Sequence, residues 1–202
     1  MARASTRGGE DERMDHRDHV ALIRAGVDGG GTRWLELGAG DGAFTLALAD
    51  LLGPDGRITT LDRDARALRI GSDAVAYRFP GVTVTREVGD FTRGLPAGPF
   101  DGVLAANSLH FVKDRRELLA KIRALTSRLV VVEYDADRGN PWVPHPFSFR
   151  RWTELATAAG FETPELLHRV PSRFLGAIYG ALTRPGAPIN AAGSRRTEPG
   201  AR

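Results

Sequence analysis

The sequence predicts an α/β protein built on one doubly wound, mostly parallel sheet of seven strands. Three observations predict it. Short apolar strands alternate with helical patterns over residues 16–159, which sets parallel strands side by side with helices on their faces. An apolar strand at 34–37 runs through a glycine-rich turn straight into an apolar helix, a Rossmann-like opening unit. The last two extended segments, 161–170 and 174–183, have no helical pattern between them, so they predict an antiparallel hairpin at the sheet edge.

The elements follow in order. Residues 16–27 place Val20, Leu22, Ile23 and Val27 at near-helical spacing, and Gly29-Gly30-Gly31 ends that helix. After the strand at 34–37, residues 42–52 carry Phe44, Leu46, Leu48, Leu51 and Leu52 around most of the helix, which predicts deep burial. Gly53-Pro54-Asp55-Gly56 is turn chemistry. The second strand, 57–61, ends at Asp62, and Asp64 caps a helix predicted to stop near Ser72. Residues 82–88 alternate and are rich in Val and Thr, a third strand. Residues 100–106 are the fourth, followed by a helix at 114–125 with Leu118, Leu119, Ile122 and Leu125 inward. Residues 129–133 are an unbroken apolar run ending on an acid, a strand covered on both faces. A proline-rich loop at 140–148 leads to a helix at 149–159, stopped by Gly160. Residues 14–183 thus read as a single domain. Residues 1–13 and 184–202, polar or rich in proline and glycine, read as disordered.

Composition bounds the function. The chain has 202 residues and no cysteine, which leaves out disulfides and thiolate metal sites. The charged first eighteen residues lack the apolar core of a secretion signal, and no apolar run reaches membrane-spanning length. A cytoplasmic protein with no membrane partner is expected. All but two of the 28 basic residues are arginine, and the four arginines and one glutamate after Thr183 account for the whole net charge of +3. The remainder is balanced, so no basic groove for nucleic acid is expected. His16 and His19 sit beside Asp15 and Asp18 without a third candidate ligand; they read as a solvated helix start, and no metal is expected.

The turn Gly38-Ala39-Gly40-Asp41-Gly42 is a cradle for a nucleotide-type cofactor. Glycine lets the backbone approach a ligand closely, and the following helix offers free N–H groups. Gly38-x-Gly40-x-x-Ala43 with Asp62 downstream also fits the loose dinucleotide fingerprint. An acid ending the second strand accepts from ribose hydroxyls in either NAD or a methionine-linked adenosine cofactor. The turn by itself leaves both open.

Five segments taken together resemble the class I S-adenosylmethionine-dependent methyltransferases. Glu36-Leu37-Gly38-Ala39-Gly40-Asp41-Gly42 is similar to that family's first motif. Asp62 is similar to its acid after the second strand, and Gly89-Asp90-Phe91 to its acid after the third. The run from Asp101 to His110 resembles its fourth-strand motif, and the edge hairpin resembles its last two strands. The resemblance spans residues 16–183. It implies S-adenosylmethionine as cofactor, S-adenosylhomocysteine as product, and a transferase activity. It also implies roles: Glu36 supplies charge near the cationic methionine end, and carbonyls of Gly38, Ala39 and Gly40 accept from its ammonium group. Asp62, with Arg63 beside it, takes the ribose hydroxyls. Asp90 accepts from the adenine amino group, Phe91 packs on the ring, and Asn107 and Ser108 emerge where ligands bind.

Methyl transfer is an in-line displacement whose leaving group needs no acid. A base is needed only where the acceptor must lose a proton, and His110 is the candidate. Phe111, Tyr134, Trp142 and His145 are candidate acceptor contacts, with Trp142, His145, Phe147 and Phe149 expected to form one wall and the helix at 16–27 an opposite lid. Asn107-Ser108-Leu109-His110 stands where nucleobase and protein-amide methyltransferases carry N/D-P-P-Y/F. That difference favours a small-molecule acceptor, with O-methylation slightly ahead. The alternatives are a non-catalytic cofactor-binding module, an RNA or protein methyltransferase, and a nicotinamide-dependent oxidoreductase. The last lacks the short-chain type's Tyr-x-x-x-Lys.

Overall fold

The computed structural model describes residues 14–172 and 174–186. Expectations for residues 1–13 and 187–202 lie outside the described residues. Five helices and seven strands alternate: α1 (His16–Val27), β1 (Arg33–Leu37), α2 (Ala43–Leu52), β2 (Arg57–Asp62), α3 (Ala65–Arg78), β3 (Thr83–Val88), β4 (Gly102–Ala106), α4 (Arg116–Leu125), β5 (Leu129–Tyr134), α5 (Phe149–Ala158), β6 (Glu165–Ser172) and β7 (Gly176–Thr183). The strands form one sheet in the order β3-β2-β1-β4-β5-β7-β6. The first five are parallel, while β7 runs antiparallel to β5 and to β6. The predicted α/β class, strand count and edge hairpin are all present. Among the described residues no helix is long and apolar enough to cross a membrane.

Period-two alternation along the strands divides the core between the two faces. Trp34, Ile58, Leu104, Val130 and Val132 pack under α1, α2 and α3, while Leu35, Leu37, Val103, Leu129 and Val131 pack under α4, α5 and the 140–148 loop. Helix α1 buries Val20, Leu22, Ile23 and Val27 and lies on α2, β5, β6 and β7. It is a layer of the core, which corrects the expectation of a lid. Residues 89–101 pass from β3 to β4 as a loop closed by a turn at Asp90–Gly94.

Helix α3 runs six residues past its predicted end. Asp64 caps it as expected, accepting from the N–H groups of Arg66 and Ala67 at 2.8 and 3.0 Å. Gly71, near the predicted stop, has a packing role instead. A Cβ there would lie 2.9 Å from the Cα of Gly42, so the bare backbone lets α3 meet the start of α2. The helix ends at Phe79, before Pro80, whose ring disfavours helical geometry in the preceding residue. At the far end, Pro185 bridges to Phe161, and Arg184 and Gly186 exchange backbone hydrogen bonds with Glu162 and Gly160.

Candidate functional site

The sheet order reverses between β1 and β4, and the carboxyl ends of these strands open a crevice at that switch point. A cleft of about 190 Å³ lies there. Gly38, Asp62 and Arg63 line it from β1 and β2, Gly89 and Phe91 from the loop after β3, and Asn107, Ser108 and Phe111 from the end of β4. These residues, distant in sequence, include six of the predicted cofactor contacts.

The glycine turn is held from β2. The N–H of Gly38 donates to Leu61 O at 2.8 Å, and the N–H of Gly40 donates to Asp62 Oδ2 at 2.9 Å. Asp62 Oδ1 accepts from the N–H of Asp64 at 2.9 Å. One carboxylate therefore joins the turn to the start of α3. Gly38 has φ +73°, and a Cβ there would lie 2.6 Å from Ser108 Cβ. Only glycine lets the turn and the end of β4 meet across the cleft. Ala39 is buried beside Leu61 rather than on the cleft.

Glu36 sits behind the turn and is almost fully buried. Its Oε2 accepts from the Thr45 hydroxyl at 2.6 Å. Burial pushes its carboxyl up to about 8, and the nearby charge of Asp62 pushes the same way against the Thr45 hydrogen bond. Asp90, expected beside the adenine, is not among the residues lining the cleft. Its Oδ1 accepts from both the N–H and the hydroxyl of Thr92, and these bonds hold its carboxyl below the ordinary range.

At the end of β4, Asn107 adopts φ +50°, a left-handed conformation rare outside glycine. Its Oδ1 and the Oγ of Ser108 are buried without a hydrogen-bond partner among the described residues. Buried polar atoms are nearly always satisfied, so two adjacent orphans beside a cleft mark a place where a ligand completes the bonding. Strained backbone at the same point agrees with that reading.

Beyond Ser108 the short 3-10 turn Leu109–Phe111 carries His110 into the protein. Both the ring and its partner Glu133, at the end of β5, are buried. His110 Nδ1 lies 3.1 and 3.0 Å from the two Glu133 oxygens, and the backbone N–H of His110 donates to Oε1 at 3.1 Å. An ionised carboxylate only accepts. Glu133 in that form makes Nδ1 the protonated ring nitrogen and leaves the Nε2 lone pair available. Arg115 supplies the compensating positive charge. It is buried against the Phe147 ring at 4.5 Å, and burial lowers its guanidinium while the charge of Glu133 raises it. Its Nε donates to Leu109 O at 3.0 Å and its Nη2 donates to His145 O. The His145 N–H in turn donates to His110 O at 3.1 Å. Arg115 thus ties the His110 turn to the proline-rich loop.

That loop divides in two. Trp142 stands in solvent, and its N–H, with that of Val143, donates to Asn140 Oδ1. Phe147 is core, packed on Trp152 at 5.6 Å, and Phe149 begins α5 with its ring edge-on to Tyr179 at 5.7 Å. The expected wall of Trp142, His145, Phe147 and Phe149 is therefore corrected: its last two members are turned inward. Phe174, from the β6–β7 turn, stands there instead, 6.3 Å from the Trp142 ring and 5.9 Å from Tyr134. Tyr134 is half-buried, and burial followed by the charge of Glu133 holds its phenol above the usual range.

Glu133, Arg115 and Phe174 escaped sequence reading. Glu133 left a signal, since an acid closing the apolar run Leu129–Val132 resembles Glu36 closing the first strand. Arg115 and Phe174 left none, because each acquires its role from segments far away in the chain.

A family model described as a methyltransferase domain matches residues 35–128. A curated relative from Thermoplasma volcanium, a probable cobalt-precorrin-6B C(15)-methyltransferase (decarboxylating), is 31% identical over 84 residues, covering 42% of this chain. The chain spans about two fifths of that relative's length, 41% by alignment. Among solved structures, the N-terminal domain of EvdMO1 with SAH bound has a TM-score of 0.64 at 22% identity, covering 86% of this chain and 82% of that one. The mitomycin 7-O-methyltransferase MmcR has a TM-score of 0.61 at 20% identity, covering 82% of this chain and 53% of that one. Both share the fold.

Proposed function

We propose that this chain, whose residues 35–128 match the methyltransferase-domain model, is a class I S-adenosylmethionine-dependent enzyme that transfers the cofactor's methyl group to a small-molecule acceptor, oxygen being the favoured target. One observation carries the reading: the switch-point cleft joins the Asp62-held glycine turn to Ser108 and Phe111, which flank the buried His110–Glu133 pair in the chain.

The residues fit this cofactor. It bears a sulfonium and an ammonium group but no phosphate, so it calls for acceptors and negative charge. Asp62 keeps lone pairs beyond its two backbone bonds for the ribose hydroxyls, with Arg63 at the same end of the cleft. The ring of Phe91 offers a face to adenine. Carbonyls of the Gly38–Gly40 turn take the ammonium. The orphaned Asn107 Oδ1 and Ser108 Oγ complete their bonding at the methionine end or with the acceptor.

When bound, S-adenosylmethionine supplies an electrophilic methyl group, which the acceptor oxygen takes while the carbon–sulfur electron pair stays on sulfur. His110 Nε2 receives the acceptor's hydroxyl proton, and Glu133 stabilises the resulting imidazolium. Alignment of acceptor and methyl in the crevice supplies up to ~7–11 kcal/mol. The precorrin methyltransferase and mitomycin O-methyltransferase similarities support a small-molecule acceptor. A cytoplasmic enzyme follows from the same reading.

Calorimetric titration with S-adenosylhomocysteine and with NAD tests the cofactor. Saturable binding of the first alone is expected, and binding of NAD alone overturns the proposal. Labelled methyl donor incubated with small hydroxyl compounds, RNA and protein then tests the acceptor. Transfer confined to RNA or protein overturns the small-molecule assignment.

A further inference from the structure

From the rings beyond the cleft we infer that the acceptor is a planar aromatic compound bearing an ionisable hydroxyl group, seated by Phe111, Tyr134, Trp142 and Phe174. The inference rests on the proposed function and names its substrate class. Large apolar side chains clustered in solvent mark a binding surface. Trp142 is 71% exposed, Phe111 55% and Phe174 49%. They come from three separate segments, and Tyr134 from a fourth, yet they form one ladder. Phe111 lies 4.2 Å from the His110 ring, His110 6.1 Å from Tyr134, Tyr134 5.9 Å from Phe174, and Phe174 6.3 Å from Trp142.

The ladder has a direction. At one end Phe111 lines the cofactor cleft and touches His110. At the other, Trp142 reaches solvent. Successive rings are tilted by 47° to 73°, so they do not stack flat on one another. Aromatic guests gain from offset and edge-on contact with such rings beyond the area they bury. The His110–Glu133 pair lies at the cleft end of the ladder. A flat ring lying on the ladder at Phe111 therefore sits at the cleft, next to the turn that carries His110. The rings are also held ready. Asn140 fixes the backbone at Trp142, and Arg115 with His145 fixes the turn carrying Phe111. Little ordering remains to be done on binding.

Tryptophan fluorescence tests this on the full chain. Trp34 and Trp152 are fully buried, leaving Trp142 as the one of three tryptophans that a guest can touch. With S-adenosylhomocysteine saturating, 2-naphthol is titrated against decahydro-2-naphthol, its non-planar counterpart. Saturable quenching by 2-naphthol is expected, with the saturated alcohol bound about tenfold more weakly or worse. Phe174→Ala weakens 2-naphthol about tenfold and leaves S-adenosylhomocysteine affinity and melting temperature unchanged. Equal binding of the two alcohols, no saturable quenching, or a Phe174→Ala chain that binds 2-naphthol like the parent overturns the inference. Loss of S-adenosylhomocysteine binding itself would instead overturn the proposed function, so the two failures are distinguishable.

Discussion

The two halves of the candidate site are built in opposite ways. The cofactor half comes from consecutive segments: Glu36 to Gly42 in one run, then Asp62 at the end of the neighbouring strand. Its key bonds are to backbone, as in Gly40 N–H to Asp62 and Gly38 N–H to Leu61. The proposed acceptor half lies beyond the cleft lining and draws on the turn after β4, the end of β5, the proline-rich loop and the β6–β7 turn. Its key bonds join side chains, or side chain to backbone, as in His110 to Glu133 and Arg115 to His145. A site made from backbone and local spacing can be written as a short motif. A site made from side chains of distant segments can vary its guest without disturbing the first.

Substitutions can break that division. Glu133→Gln is expected to have the largest effect, because the amide no longer fixes the His110 tautomer or balances its charge. Turnover with a hydroxyl acceptor should fall about 10²–10⁴-fold while S-adenosylhomocysteine affinity holds. Equal losses in both would show that the halves are not separate. Asp62→Asn should do the reverse, weakening S-adenosylhomocysteine by about 10–100-fold in calorimetry through loss of charged acceptors.

Arg115→Ala probes the acceptor half's frame rather than its chemistry. It strips hydrogen bonds from Leu109 O and His145 O and empties the space over Phe147. Denaturant unfolding should show a loss of about 2–4 kcal/mol.

A pH-dependent effect, small per pH unit, sharpens the cofactor half. Glu36 is pushed up to about 8 in the folded chain, from 4.5. Between those values the folded chain holds one proton more than the unfolded chain, so stability falls as pH rises, by about 1.4 kcal/mol per pH unit. Above that window both states are ionised and the slope from this group ends. Glu36→Gln should flatten the profile between about pH 5 and pH 8, measured by denaturant melts across pH. An unchanged slope would mean that Glu36 is not held protonated behind the turn.

Most of the architecture was legible because periodicity and turn chemistry are local. The alternation of strands and helices, the Asp64 cap and the edge hairpin all follow from spacing within a dozen residues. Helix α3 runs past its predicted end near Ser72, and Gly71 beside that point does not break it. Its bare backbone instead serves contact with Gly42, twenty-nine residues earlier in the chain. The Phe147 and Phe149 assignment failed for a related reason: proline and aromatic residues announce a shaped loop but not which rings turn inward.

The sequence by itself determined the sheet, its order of elements and a glycine turn followed by acids at the ends of β2 and β3. Those features depend on backbone conformation and short-range pattern, which each residue carries with it. Tertiary structure alone decided that His110 meets Glu133, that Arg115 ties the His110 turn to the proline-rich loop, and that Phe174 replaces Phe147 and Phe149 at the mouth. These are contacts between side chains brought together by the packing of the sheet and its loops. Their partners are set by which segments become neighbours in space, and no local spacing in the chain records that.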